Sequence, residues 1–234
     1  MIRKLSVLGL ELNNYGIRES LEATEGFLRN DVMNVVRLVT MEQLIMASEN
    51  EEIHRALESA DLAVIEDKSV LAEAGITSVY RINELKVGAF FEDFMLRTSR
   101  SGYSIYLIGP DKNKVSIFRS RIEEKYKHIK LLGEGVIGDD ISKNENTLND
   151  INVLLPDIVI SILESPDQDV FINNYKDRIY AKLWVGLGAD DPEAQNRSVV
   201  GNLIRNVIGG MLFRRHSGKL AARTGNDNND EREM

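Results

Sequence analysis

The sequence contains no cysteine, and this absence removes a large share of protein chemistry from consideration. Disulfide bonds, thiolate metal ligands and cysteine nucleophiles are all excluded. Histidine is also scarce, and none of His54, His128 and His216 stands at metal-ligand spacing from another ligand. We therefore predict no metal site and no cofactor from the spacing of residues.

Long apolar runs and an excess of positive charge are missing as well. No window of about 18 uninterrupted apolar residues is present, so we predict no transmembrane helix. The chain has 37 acidic and 29 basic residues, and its net charge of −8 argues against a nucleic-acid-binding protein. The apolar N-terminal run breaks at Glu11 and Asn13 without a small-residue cleavage site, which favours a first strand over a signal peptide. These features predict a soluble protein of the cytoplasm.

Short apolar runs alternate with longer amphipathic stretches along most of the 234 residues. Continuous apolar strands separated by helices are typical of a parallel sheet that is buried on both faces. The pattern therefore predicts an α/β fold with a doubly wound, mostly parallel, Rossmann-like sheet flanked by helices. A division into two sublobes near residue 100 is left open. The predicted strands cover residues 2–10, 35–39, 62–65, 103–108, 129–132, 157–163 and 183–185.

Binding sites in doubly wound folds lie beyond the carboxyl ends of strands, so the residues at these ends are the first candidates. Thr40 follows the strand at 35–39, and its hydroxyl can cap the next helix or contact a ligand. Asp67 follows the strand at 62–65, where a carboxylate suits a general base. A helix cap is the alternative for Asp67, because residues 68–74 have a helical pattern.

Two more candidates follow later segments of the chain. Arg81 comes after a short apolar pair, and its guanidinium suits a diphosphate or, alternatively, a surface ion pair. Gln168 lies in a predicted helix start, with Ser165 as N-cap and Pro166 in the first helical position. Gln168 could then read a ligand amide or a uracil edge, or belong to a capped helix start without further function.

The last part of the chain differs in composition from the rest. Residues 203–213 are apolar at helical spacing, and a basic cluster that includes Arg214 and Arg215 follows them. An apolar face beside basic side chains suits an anionic membrane surface, and a docking helix with a solvated basic end is the alternative. The predicted organisation is a main domain at 1–198, an amphipathic basic helix at 199–223 and a disordered polar tail at 224–234.

Four segments of the sequence resemble, in order and with familiar spacing, one family of bacterial enzymes. They are LGLELNNYGIRESLEATEGFL from residue 8, VTMEQLIMASENEEIHRALESADLAVIEDKSVL from residue 39, YSIYLIGPDKNKV from residue 103 and PDIVISILESPDQDVFI from residue 156. Over residues 2–190 the chain thus resembles the WecG/TagA/CpsF family of bacterial sugar transferases. Ordered spacing across several segments is more specific than any single motif among them.

The resemblance implies an inverting, metal-independent transfer of a hexose, often N-acetylmannosamine or its uronic acid, from a UDP-sugar to a polyprenyl-linked acceptor. It matches Asp67 with the catalytic base, and Thr40, Arg81 and Gln168 with substrate-binding positions. It also implies action at the inner membrane surface, with Leu203 to Arg215 as a shortened membrane-binding appendage, and it leaves a homo-oligomer open. We expect Asp67, Arg81 and Gln168 to converge on one crevice.

Three departures from the family pattern leave a second interpretation open. Met41 follows Thr40 where the family has Pro-Asn, and Lys68 follows Asp67 where the family has glycine. Leu163-Glu164-Ser165 replaces a Gly-x-Gly, whose glycines let a backbone approach a nucleotide closely. The alternative to a transferase is therefore a non-catalytic relative that acts as partner or regulator of a related enzyme.

Overall fold

The computed structural model of the chain describes residues 4–138 and 140–188. The strands of this part are β1 (Lys4–Val7), β2 (Leu10–Asn13), β3 (Asn34–Val39), β4 (Leu62–Ile65), β5 (Ser104–Gly109), β6 (Lys130–Val136), β7 (Ile158–Ser161) and β8 (Leu183–Gly186). The helices are α1 (Ile17–Phe27), α2 (Met41–Glu49), α3 (Glu51–Glu58), α4 (Lys68–Glu73), α5 (Val79–Glu84), α6 (Ala89–Ser101), α7 (Lys112–Lys125), α8 (Ile141–Leu154) and α9 (Asp167–Tyr175).

Six of the strands form one sheet in the order β4-β3-β8-β7-β5-β6, and every pairing in it is parallel. All residues of β3, β4, β5, β7 and β8 are buried, because helices cover both faces of the sheet. Successive side chains point to opposite faces, so Ile105 and Leu107 enter one core while Tyr106 and Ile108 enter another. The predicted doubly wound α/β fold is confirmed.

Strands from both sides of residue 100 belong to this single sheet. β7 and β8 come late in the chain, yet they lie between β3 and β5. The early strands β4 and β3 lie side by side, and β3 pairs in parallel with the late strand β8, so early and late strands join in one continuous sheet within one compact unit. The described residues therefore do not form the two sublobes that the sequence left open.

The N-terminal segment differs from the single strand predicted at residues 2–10. β1 and β2 form a separate antiparallel hairpin, in which Val7 pairs with Leu10. Leu8 and Gly9 make the turn with φ angles of 50° and 87°, a left-handed backbone that glycine adopts readily. The apolar run continues through the turn, so hydropathy alone did not reveal it.

Helices cover both faces of the sheet and form separate hydrophobic cores with it. α1, α6 and α7 pack on one face through Leu21, Phe91 and Phe118. α8 and α9 pack on the opposite face through Ile151 and Phe171. A further core joins α2, α3 and α4 to the hairpin and to the edge strand β4. The two buried faces explain why the central strands are mostly apolar.

The chain leaves the neighbouring strands β5 and β7 in opposite directions. From β5 it runs through α7 to β6, and from β7 it runs through α9 to β8 on the other side. α7 and α9 accordingly pack on opposite faces, as right-handed crossovers require. Such a reversal opens a crevice at the carboxyl ends of the strands, and ligands bind there in folds of this class.

None of the described helices is long and apolar enough to cross a membrane. The helix predicted at 199–223, its proposed membrane-binding part from Leu203 to Arg215 and the tail at 224–234 lie outside the described residues.

Candidate functional site

Thr40 stands at the carboxyl end of β3, where it caps helix α2. Its Oγ1 accepts a hydrogen bond from Gln43 N at 3.4 Å, and Gln43 Oε1 accepts one from Thr40 N at 3.1 Å. The two bonds form a capping box, so the capping interpretation of Thr40 is confirmed. A hydroxyl that accepts a hydrogen bond still carries a proton that it can donate, and a role in ligand binding therefore stays a prediction.

Asp67 stands at the carboxyl end of the neighbouring strand β4 and serves two helices. Oδ1 accepts hydrogen bonds from the backbone N and the hydroxyl of Ser69, at 2.9 and 2.5 Å, and thereby caps α4. Oδ2 accepts a bond from Met41 N at 3.1 Å, at the first residue of α2. The side chains at the ends of β3 and β4 are thus brought together. Asp67 is half-buried.

Glu66 lies directly before Asp67 and is a titrating group that the sequence did not single out. Its side chain is only 8% exposed, and its carboxylate accepts backbone hydrogen bonds from Gly88 and Phe90 at the start of α6. Oε1 is buried without a hydrogen-bond partner among the described residues. Burial raises the pKa of Glu66 to about 7, against the opposing effect of the two backbone bonds. The sequence feature that could have identified Glu66 is a carboxylate at the end of a predicted buried strand.

Gln168 lies in the first turn of α9, as predicted, but its side chain is 0% exposed. Nε2 donates a hydrogen bond to Leu163 O at 3.2 Å, and Oε1 packs against Gly186 of β8. Gln168 therefore supports the loop at residues 162–166 from below. A direct contact between this carboxamide and a ligand would require the side chain or the loop to shift.

The predicted N-cap at Ser165 is wrong. α9 begins at Asp167 with Pro166 in the N-cap position, and no side chain caps this helix. Gln168 N donates to the backbone O of Glu164 at 2.9 Å and not to Ser165, whose Oγ is buried without a hydrogen-bond partner in the described structure. The acidic residues Asp167 and Asp169 in the first turn complement the helix dipole instead.

Arg81 is part of helix α5 and points toward the loop between β2 and α1. Nη2 donates a hydrogen bond to Tyr15 O at 2.6 Å, and Nε donates one to Asn14 Oδ1 at 3.4 Å. Nη1 lies 3.7 Å from Glu84 Oε2, and the side chain is 12% exposed. Burial lowers the pKa of Arg81, and the charges of Glu84 and Glu19 oppose this effect. The arginine thus holds α5 against the start of α1.

The carboxyl end of β8 contributes two glycines that the sequence-based selection missed. Gly188 has a φ angle of 76°, and a Cβ there would lie 2.7 Å from Gln43 Nε2, within the capping box of α2. Gly186 leaves space for Gln168. The available signal was the Gly-x-Gly pattern directly after the strand, which is where a backbone can approach a ligand.

These features form one continuous edge of the sheet, because β4, β3, β8 and β7 are neighbours in that order. We call the ends of these strands, with Asp67, Thr40, Gly188 and the 162–166 loop, the strand-end row. Thr40 and Asp67 thus lie on the row, and Gln168 lies directly beneath it. Arg81, the fourth expected site residue, is directed to the loop between β2 and α1. Among residues 4–138 and 140–188, no three histidine, aspartate or glutamate side chains cluster closely enough to hold a metal ion.

Comparison with known proteins adds one match. Residues 5–190 match the model of a family described as the Glycosyl transferase WecG/TagA/CpsF family. This range includes every described strand end of the strand-end row and all four expected site residues. No curated protein matches the chain.

Proposed function

The chain belongs to the WecG/TagA/CpsF family of glycosyl transferases, and we propose that it transfers a hexose from a UDP-sugar to a polyprenyl-linked acceptor. The family implies glycosyl transfer in the synthesis of cell-envelope polymers. The proposed donor carries a sugar of the N-acetylmannosamine type, and the product is an envelope polymer or exopolysaccharide. The observation that carries the proposal is the contact between the ends of β3 and β4, which places Thr40 beside Asp67 within the matched range.

The proposed reaction is a single displacement at the anomeric carbon. The acceptor hydroxyl attacks from the face opposite UDP, so a new glycosidic C–O bond forms while the bond to the β-phosphate oxygen breaks. UDP leaves with the electron pair of that bond, and the configuration at the anomeric carbon inverts. Asp67 takes the proton of the acceptor hydroxyl as general base.

The surroundings of Asp67 support this role. Its three hydrogen bonds, from Ser69 and from Met41, fix the orientation of the carboxylate at a half-exposed strand end. An ionised carboxylate has about four lone-pair sites, so one site is left for the acceptor hydroxyl. Asp67 can therefore remain a helix cap and still accept a proton.

The other expected residues have positioning roles in this proposal. Thr40 donates its hydroxyl proton to the donor, and Gln168 supports the 162–166 loop that receives the nucleotide. Arg81 is the proposed cation for the leaving diphosphate, and its guanidinium would have to turn away from Tyr15 O and Glu84 to reach the row. A metal-independent transfer, as proposed, needs such charge compensation from protein groups.

The proposed acceptor has a lipid tail, so the enzyme would act at the inner face of the plasma membrane. The apolar and basic segment from Leu203 to Arg215 is the proposed membrane contact. We propose no nucleic-acid partner, and a homo-oligomer is compatible with the proposal.

A second candidate function is that of a non-catalytic relative, which binds a related transferase without binding a donor. The observation in its favour is the 162–166 loop, where exposed Glu164 brings a negative charge to the proposed nucleotide wall and Gln168 is buried. Like charges at such a site weaken the binding of a diphosphate unless a cation compensates.

Thermal unfolding of the full chain with UDP and UDP-N-acetylmannosamine distinguishes the two functions. A ligand that binds the native state stabilises it, by about 2.7 kcal/mol when its concentration is about 100 times Kd. A transferase should therefore melt at a higher temperature with the donor, and it should not respond to the same concentration of adenosine diphosphate. An unchanged melting temperature at millimolar UDP-sugar would support the non-catalytic relative.

A further inference from the structure

A charged residue stands in the middle of a fully buried strand. Arg37 belongs to β3, and its side chain is 0% exposed. In the register of the sheet it pairs with Gly186 of β8, which in turn pairs with Ser161 of β7. The glycine leaves room over β8 for two side chains, because a Cβ there would lie 2.9 Å from Arg37 Cδ and would overlap Gln168 Oε1.

Arg37 reaches across β8 to helix α9. Its Nη1 lies 2.6 Å from Oδ1 of Asp169, whose side chain is also 0% exposed. A buried ion pair adds little stability, because the cost of removing two charges from water offsets most of their attraction. In the described structure, Nε and Nη2 of Arg37 and Oδ2 of Asp169 have no hydrogen-bond partner. Stability alone therefore does not account for this pair.

Beside the ion pair, two buried side chains hold the 162–166 loop. Gln168 Nε2 donates to Leu163 O at 3.2 Å, and Ser161 Oγ accepts from Leu163 N at 3.3 Å. The backbone N–H and C=O of Leu163 are thus both hydrogen-bonded to buried side chains. Gln168 and Arg37 both lie where a Cβ of Gly186 would be, so the two side chains share the space over this glycine. The side chain of Gln168, which holds the loop, therefore packs in the same small space as the ion pair.

We propose that Arg37 and Asp169 are positioning residues, which hold the 162–166 loop in place relative to Thr40 for donor binding. The ion pair joins β3, which ends directly before Thr40, to α9, which begins directly after the loop. One side-chain contact thus links two walls of the strand-end row. The inference rests on the proposed function, since it assumes that the loop receives a UDP-sugar.

Variants of the pair separate positioning from stability. Arg37→Met removes one charge and leaves the other buried alone, so both thermal stability and donor affinity should fall. Arg37→Met with Asp169→Asn removes both charges, and most of the stability should return while the donor affinity stays about tenfold weaker or worse. Arg37→Lys should restore the affinity, because an ammonium group can supply the single hydrogen bond to Asp169 Oδ1. The measurements are the melting temperature and the Kd for UDP-N-acetylmannosamine by calorimetry, on the full chain.

An exposed ion pair of the same chemistry provides the matched control. Arg178 pairs with Glu145 through two hydrogen bonds, at 2.9 and 2.7 Å, on the surface. The variant Arg178→Met with Glu145→Gln removes the same two charges and should bind the donor as the unmodified chain does. A double variant at Arg37 and Asp169 that regains stability and affinity together would show a purely structural pair and overturn the inference.

Two further results keep the test decisive. If the double variant does not fold, Gly186→Ala replaces it, because the added methyl group would displace both Arg37 and Gln168 while both charges remain. Folded Gly186→Ala with unchanged donor affinity overturns the inference, and a loss of about tenfold or more supports it. Failure of the unmodified chain to bind any UDP-sugar is distinguishable from both outcomes, and it overturns the proposed function together with this inference.

Discussion

At Asp67 a single carboxylate caps α4, contacts the first residue of α2 and carries the proposed catalytic role. The cap and the general base are not exclusive alternatives, because the three hydrogen bonds leave about one lone-pair site of the carboxylate for another donor. The same holds for Thr40, which caps α2 through its oxygen and keeps its proton. Residues at strand ends can thus serve the fold and the site together.

Asp67→Asn should abolish sugar transfer while the chain stays folded. The amide has no basic oxygen of comparable strength, and it can still accept the hydrogen bond from Ser69 N. The lost bond from Met41 N should cost about 1 kcal/mol of stability. Transfer from UDP-N-acetylmannosamine to a polyprenyl-linked acceptor is the activity to measure. Asp140→Asn, which also alters an aspartate N-cap, at helix α8, is the matched control and should remain active.

Glu66 should make the stability of the protein depend on pH. Its pKa is raised from 4.5 to about 7 by burial, so the folded state keeps a proton that the unfolded chain has lost. The stabilising contribution is complete below pH 4.5 and is lost as the pH rises to about 7, where the total change from this group is roughly 3 kcal/mol at most.

Glu66→Gln should therefore be more stable than the unmodified chain at pH 8, and the difference should shrink toward pH 5. Urea unfolding at both pH values measures it. Glu124→Gln, at an exposed position of α7, should show no such pH-dependent difference. Parallel pH profiles for the unmodified chain and Glu66→Gln would contradict the assigned pKa.

At the scale of elements, the site is built from helix starts that follow strands. α2, α4 and α7 each begin directly at a side-chain cap, formed by Thr40, Asp67 and Asp111. Each cap satisfies backbone N–H groups that would otherwise lack partners, and it fixes the angle at which the chain leaves the sheet. α5 differs, because none of its residues is buried and Arg81 holds it to the loop before α1.

Thr40→Ala should destabilise the protein by about 1 kcal/mol, because the capping box of α2 loses its side-chain acceptor. Thr40→Ser keeps the hydroxyl and should lose only a small part of that stability. Urea unfolding followed by circular dichroism compares the two variants. Equal stability of the alanine and serine variants would mean that the hydrogen bond from Gln43 N contributes nothing.

At the scale of the whole molecule, β8 lies near the centre of the sheet. It carries the single tryptophan of the chain, Trp184. Trp184 is 0% exposed and stacks on Phe171 of α9, with 5.6 Å between the ring centroids. This contact helps to hold α9, and hence the 162–166 loop, on the face of the sheet. Packing in the core therefore supports the geometry of the strand-end row.

Trp184→Ala should cost about 3–5 kcal/mol, because a large cavity would form between β8 and α9. Trp184→Phe should cost much less, since a ring still fills the space and the indole Nε1 has no hydrogen-bond partner in the described structure. Free energies of unfolding in urea provide the comparison. A phenylalanine variant as unstable as the alanine variant would show that the indole makes an interaction absent from this structure.

The amino-acid sequence by itself determined the class of fold, most strands and helices, and the caps at Thr40 and Asp67. These features depend on hydropathy period and on side chains within three residues of each other, so a local pattern suffices to predict them. The hairpin at β1 and β2 escaped this reasoning, because its turn lies inside one apolar run.

Only the tertiary structure decided which side chains meet. Arg37 and Asp169 are 132 positions apart in the chain, and they pair because β8 lies between β3 and β7. The same strand order buries Gln168 over Gly186, whereas the packing of α5 directs Arg81 to the loop before α1. Strand order depends on the free energy of the whole packed core, so no local pattern contains it.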